Sequence, residues 1–126
     1  MTMAIAKARL RIRVQYGSGF AIGSGKADIL QAVAETGSIS AGARQMDMSY
    51  RRAWLLIDAM NRCFREPVVD TATGGKGGGG AQITPFGRVV LKGFRTMESR
   101  AMASIAKEMP DFSKLLRKTP PAGKIY

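Results

Sequence analysis

The chain has 126 residues, with 20 Lys and Arg against 9 Asp and Glu, a formal net charge of +11. Its 45% apolar content suffices for the core of one ordinary domain, and the charge excess points to a polyanionic partner, nucleic acid ahead of a membrane surface. With no histidine and one cysteine, Cys63, an intrachain disulfide, a His/Cys metal site and histidine-dependent catalysis are excluded.

The lone thiol fits a reducing cytoplasm. The longest apolar run, 53–57, falls far short of the roughly 20 residues of a membrane helix. The cation-spaced N-terminus has no apolar stretch behind it and does not read as a secretory signal. A cytoplasmic protein without membrane contact is the expectation.

Leu10, Ile12 and Val14 alternate with Arg11, Arg13 and Gln15, the period of a half-buried strand. The glycines of 16–25 read as a turn region. A helix follows over 26–36, with Ser24 as cap, Ile29, Leu30 and Val33 on its apolar face, and Gly37 where a helix stops. A short helix over 41–46, capped by Ser40, leads through Asp47-Met48 to a longer helix capped by Ser49 and running to about residue 64. Ala53, Ile57, Met60 and Phe64 recur at helical spacing, with Trp54 extending the same face, and Pro67 ends the helix.

Strands over 68–73 and 81–84 flank the glycine-rich run 74–80, a hairpin with a long tip. Thr84 caps the last helix and Pro85 sits in its first turn. Phe86, Val90, Phe94, Met97, Ala101 and Ile105 then form one apolar stripe, which Pro110 stops. The expected architecture is mainly α with a small β-hairpin: a winged helix-turn-helix over 1–109 (wing 68–84, long helix 85–109) and a basic, Pro- and Gly-containing tail over 110–126. The stripe is long for so small a domain to cover, so it is the expected homodimer interface, and two-fold dimers read paired half-sites.

In this motif the second helix of the pair enters the major groove with its N-terminal residues at base edges. Ser49, Tyr50, Arg51 and Arg52 open that helix, and arginine can pair bidentately with guanine. Ser38, Ser40 and Arg44 lie on or before the first helix, where backbone phosphates pass. Lys76, Gly77 and Gly78 belong to the wing, which reaches along the backbone or into a minor groove. Its glycine pattern is neither a dinucleotide fingerprint nor a Walker loop, because a strand follows it and Lys76 precedes Gly77. Arg9, Arg11 and Arg13 suit either electrostatic attraction or a dimer edge. Trp54 and Cys63 read as core. No metal site, catalytic residue or cofactor is expected.

From about 37 to 93 the sequence resembles the N-terminal DNA-binding domain of the ModE family, the molybdate-responsive regulators of bacteria. Gly37-Ser38-Ile39-Ser40, Gly42-Ala43, Ile57-Asp58 and Met60-Asn61 carry the likeness, together with Ser49-Tyr50-Arg51-Arg52-Ala53-Trp54 at the helix opening. The most specific element is the wing, Ala72-Thr73-Gly74-Gly75-Lys76-Gly77-Gly78-Gly79-Gly80-Ala81, with Thr84 and Gly87 after it. LysR-type regulators have a related domain with a different wing. The resemblance implies a dimer that binds inverted-repeat operators in double-stranded DNA, with a link to molybdenum metabolism. Full-length relatives continue into oxyanion-binding domains, and the residues after the long helix are too few for one. Molybdate is therefore not expected to bind this chain by the family's usual domain. The alternative is a non-specific architectural DNA-binding protein, which the charge fits equally well.

Overall fold

The computed structural model describes residues 8–71 and 80–123. Its first strand starts later than the alternation suggests: β1 is Arg13–Tyr16, and Leu10 and Val14 remain 37% and 38% exposed. Ile12, ahead of β1, packs against the core. The region read as turn holds a second strand, β2, Gly19–Gly23. Gly17 takes the left-handed conformation at the turn, and Ala21 and Ile22 are buried. The two strands pair antiparallel, Val14 opposite Ile22 and Gln15 opposite Phe20, with a register shift between. Three apolar residues between glycines were enough for a strand once a partner edge lay beside them.

Helix α1 is Ser24–Thr36. Its N-cap is Gly23, so Ser24 lies inside the helix and not at its cap. The Ser24 hydroxyl instead donates to Glu98 Oε2 at 2.6 Å. The far end closes at Gly37, whose φ of 74° favours glycine and whose N–H reaches the Val33 carbonyl. Helices α2, Ile39–Gln45, and α3, Tyr50–Cys63, follow. Two short strands, β3, Val69–Asp70, and β4, Gln82–Ile83, pair antiparallel at the root of the wing. The wing tip lies outside the described residues.

Helix α4 is Pro85–Ser104. It ends before Pro110, and Pro110 lies inside a further short helix, α5, Glu108–Ser113. A proline in a first turn gives up an N–H that has no helical partner, so it need not terminate anything there. The tail expected from 110 onward therefore begins within a helix.

Two compact units emerge, Arg11–Glu98 and a second of residues 8–10 with 99–123 among those described. The first holds the core: Ile29, Leu30 and Val33 of α1, Ile39 and Ala43 of α2, Ala53, Ile57 and Met60 of α3, Val68, Val69, Ile83 and Phe94. This is a winged helix-turn-helix. The second unit contains α5 and an apolar groove of about 780 Å³ lined by Met102, Ile105, Met109 and Leu116. Among the described residues no helix is long and apolar enough to cross a membrane.

Candidate nucleic-acid interface

The turn between α2 and α3 is built by one residue in a strained conformation. Asp47 has φ 55°, and among non-glycine residues aspartate is one of the few that accept it. Met48 N–H then reaches back to the Ala43 carbonyl at 2.9 Å, locking the start of α3 against α2. Ser49 is extended and its hydroxyl accepts the Arg52 N–H at 3.1 Å, the expected cap.

From that capped end α3 presents two sides. Ala53, Ile57 and Met60 are each no more than 2% exposed and fix the helix in the core, with Phe64, just past its end, packed beside them. The opposite side carries Arg51, Trp54, Leu55 and Asp58, spaced by three and four residues, with Tyr50 beside them. Trp54, read from sequence as core, is 43% exposed, Tyr50 55% and Leu55 46%. Position 54 lies about 100° around the helix from Ala53, far enough to leave the buried arc. The angular position carried the signal and hydropathy masked it. Leu55, also exposed, was not singled out in the sequence. Asp58 bonds Arg62 one turn on, 3.0 Å away.

Arg51 and Arg52 diverge. Both are exposed, but Arg52 turns toward a cavity shared with Arg13 and Lys26, and Arg51 does not line it. Ser38, not Ser40, caps α2, accepting the Ala41 N–H at 2.9 Å. Ser40 Oγ accepts from Arg44 Nη1 at 3.1 Å, so these two exposed side chains sit together on α2. Lys76, Gly77 and Gly78 lie outside the described residues. The wing's root is well held. Asn61 on α3 accepts the Val68 and Val69 N–H groups and donates to the Val69 carbonyl. Thr84 caps α4 by accepting the Gly87 N–H and donates to the Pro67 carbonyl. Gly87 is required here, since a Cβ would overlap the Val68 carbonyl.

The expected dimer stripe on α4 is divided. Phe94 is 1% exposed and belongs to the chain's own core, and Phe86 and Val90 pack against that core. A buried Phe94 is not available to a partner. Met97 is 49% exposed, and Ala101 and Ile105 are half-buried. Between α1 and α4 lies a polar cluster. Arg95 Nη2 donates to Asp28 and Gln31, both at 2.8 Å, and Nη1 to Glu98 at 3.0 Å. Burial works against the Arg95 charge, and the bonds to Asp28 and Glu98 outweigh it and raise its pKa. The Ser24 hydroxyl, ahead of Arg95, lowers that of Glu98 against partial burial. Among the described residues no group of His, Cys, Asp and Glu is placed to hold a metal.

Residues 26–88 match the profile of a family described as bacterial regulatory helix-turn-helix protein, lysR family. The chain is 40% identical over 103 residues to the molybdenum-pterin-binding protein MopB of Rhodobacter capsulatus, covering 82% of this chain and 37% of that one. It is 35% identical over 88 residues to the molybdenum transport protein ModE of Azotobacter vinelandii, covering 70% and 33%. It is 44% identical over 64 residues to the DNA-binding transcriptional dual regulator ModE of Escherichia coli K12, covering 51% and 24%. The chain thus spans well under half the length of these relatives.

Proposed function

The chain belongs to the bacterial regulatory helix-turn-helix proteins of the lysR family, and from that premise we propose that it binds an inverted-repeat operator as a homodimer and regulates genes of molybdenum metabolism. The observation that carries the reading is α3: a helix anchored by Ala53, Ile57 and Met60, capped at Ser49, with Tyr50, Arg51, Trp54 and Leu55 open to a partner. Laid in the major groove, Arg51 meets guanine O6 and N7, while Trp54 and Leu55 offer apolar contact to thymine methyls. Ser38, Ser40 and Arg44 position the backbone, and Lys76 with Gly77 and Gly78 adds the wing's contact to backbone or minor groove. The protomers meet through Met97, Ala101 and Ile105, the part of the stripe its own core leaves open. The link to molybdenum rests on the relatives named above.

Duplex binding by fluorescence anisotropy across a salt series tests this. DNA from upstream of the protein's own gene and of nearby molybdate-transport genes is compared with scrambled DNA, with and without molybdate. Roughly a thousandfold preference for one duplex is expected of a specific regulator. Arg51→Ala should cost about 1–3 kcal/mol on that duplex and relax its preference there. Equal loss on scrambled DNA overturns base reading by Arg51. Equal wild-type binding to every duplex with a steep salt slope replaces the regulator by an architectural DNA-coating protein.

A further inference from the structure

Arg11 ahead of β1, Arg13 on it and Lys26 of α1 have no part in the reading above, yet within the unit Arg11–Glu98 they converge. Arg11, Arg13 and Lys26 line one cavity of about 340 Å³ together with Arg52 of α3. Asp28 is the one carboxylate in that lining, and Arg11 and Arg95 already hold it, at 3.4 and 2.8 Å. Among the described residues no carboxylate stands within ion-pair distance of Arg13 or Arg52. The Phe20 ring instead carries two cations: the Arg13 guanidinium carbon 4.5 Å and the Lys26 Nζ 4.2 Å from its centroid. Lys26 is 8% exposed and donates to the Phe20 carbonyl at 2.8 Å. Burial lowers the pKa of its ammonium, opposed by Cys63.

Four like charges around one cavity with a single, already shared, carboxylate repel one another until an anion arrives. Arg13 and Arg52 are exposed and open to a large polyanion. Arg52 also belongs to the first turn of α3, the helix assigned above to DNA, on a side that diverges from Arg51. We infer that Arg11, Arg13, Lys26 and Arg52 form a clamp for a backbone phosphate beside the recognition helix, a DNA contact that joins the first strand and α1 to the foot of α3 and does not involve the wing. The inference rests on the DNA-binding reading. It commits to a duplex phosphodiester because the two open cations are guanidiniums, suited to phosphate oxygens in pairs, at the end of the helix that enters the groove.

The test is the salt dependence of duplex binding for wild type, Arg13→Gln, Arg13→Lys and Arg52→Gln, with thermal melts confirming that each variant folds. Each glutamine variant should lower the slope of log K against log salt by about one unit. Each should weaken the preferred and scrambled duplexes by the same factor, about three- to tenfold, and Arg13→Lys should keep the wild-type slope. Wild-type slopes in both glutamine variants overturn the clamp and leave DNA binding standing. No salt-dependent binding by wild type removes the premise and the clamp together. Inorganic phosphate at constant ionic strength supplies the last arm. If it raises the melting temperature of wild type but not of Arg13→Gln, while the duplex slopes are equal, the cavity takes a free oxyanion and the DNA clamp is overturned.

Discussion

Helices α3 and α4 are both amphipathic, and they use their apolar sides differently. On α3 the apolar arc of Ala53, Ile57 and Met60 is wholly covered, and what remains outside is mixed: two aromatics, a leucine and cations. On α4 the cover stops partway, with Phe94 buried and Met97 nearly half exposed. The buried side of a helix determines how firmly its outer side is presented, and the outer side determines what it can meet. A mixed outer side suits a nucleic acid with its phosphates, base edges and methyl groups, whereas an apolar stripe that runs out of cover suits another protein surface.

Phe94→Ala tests where the cover on α4 stops, and it should have the largest effect. Removing a ring this deep should cost about 3–5 kcal/mol of stability in chemical denaturation. A loss below about 1 kcal/mol would mean the ring is not the anchor that separates the two parts of the stripe. At concentrations where the chain is monomeric, Met97→Glu, one turn on, should leave the melting temperature nearly unchanged. It should weaken self-association by about tenfold or more in sedimentation equilibrium. An unchanged association constant would remove Met97 from the protomer contact and make the two helices more alike than described. The smallest effect is at Glu98. Its pKa is held down, chiefly by the Ser24 hydroxyl. A lowered carboxylate pKa contributes stability that is present above the ordinary carboxylate value and is lost as pH falls through the lowered one. Melting temperatures from about pH 6 to about pH 3 should therefore fall less for Glu98→Gln than for wild type. Parallel curves would take Glu98 out of the acid response.

The helix-turn-helix was legible because its signals are local. The cap at Ser49 and the spacing of Ala53, Ile57 and Met60 depend on neighbours a few residues away, and each stands as read. The cap at Thr84 is of the same kind. The misreadings arise where a distant partner decides. β2 exists because β1 offers an edge to Phe20, Ala21 and Ile22, which glycines otherwise mark as turn. Ser24 is drawn away from capping by Glu98, seventy-four positions on. Other misreadings are local instead: Ser38 and Ser40 are equally good caps in sequence, and it is Ser38, with its extended backbone, whose hydroxyl accepts the Ala41 N–H. Trp54 and Phe94 are both large and aromatic, yet one is 43% exposed and the other 1%; for Trp54 the step of about 100° from Ala53 was the signal, and its hydropathy masked it. The alternation that put Arg11 and Arg13 on one side was visible, while their convergence with Lys26 and Arg52 required the fold.

The polar cluster between α1 and α4 has a geometric consequence. Ser24, Asp28 and Gln31 rise along α1 at steps of four and three, and Glu98 and Arg95 descend along α4 at a step of three to meet them. Methyl groups tolerate sliding past one another by part of a turn, whereas directed bonds at two heights do not. A shift of α4 by one residue would break all of them together. The cluster therefore works as an index: together with the close approach of Gly87 to the Val68 carbonyl it holds α4 to one axial setting, and with it the side of the helix on which Met97 emerges.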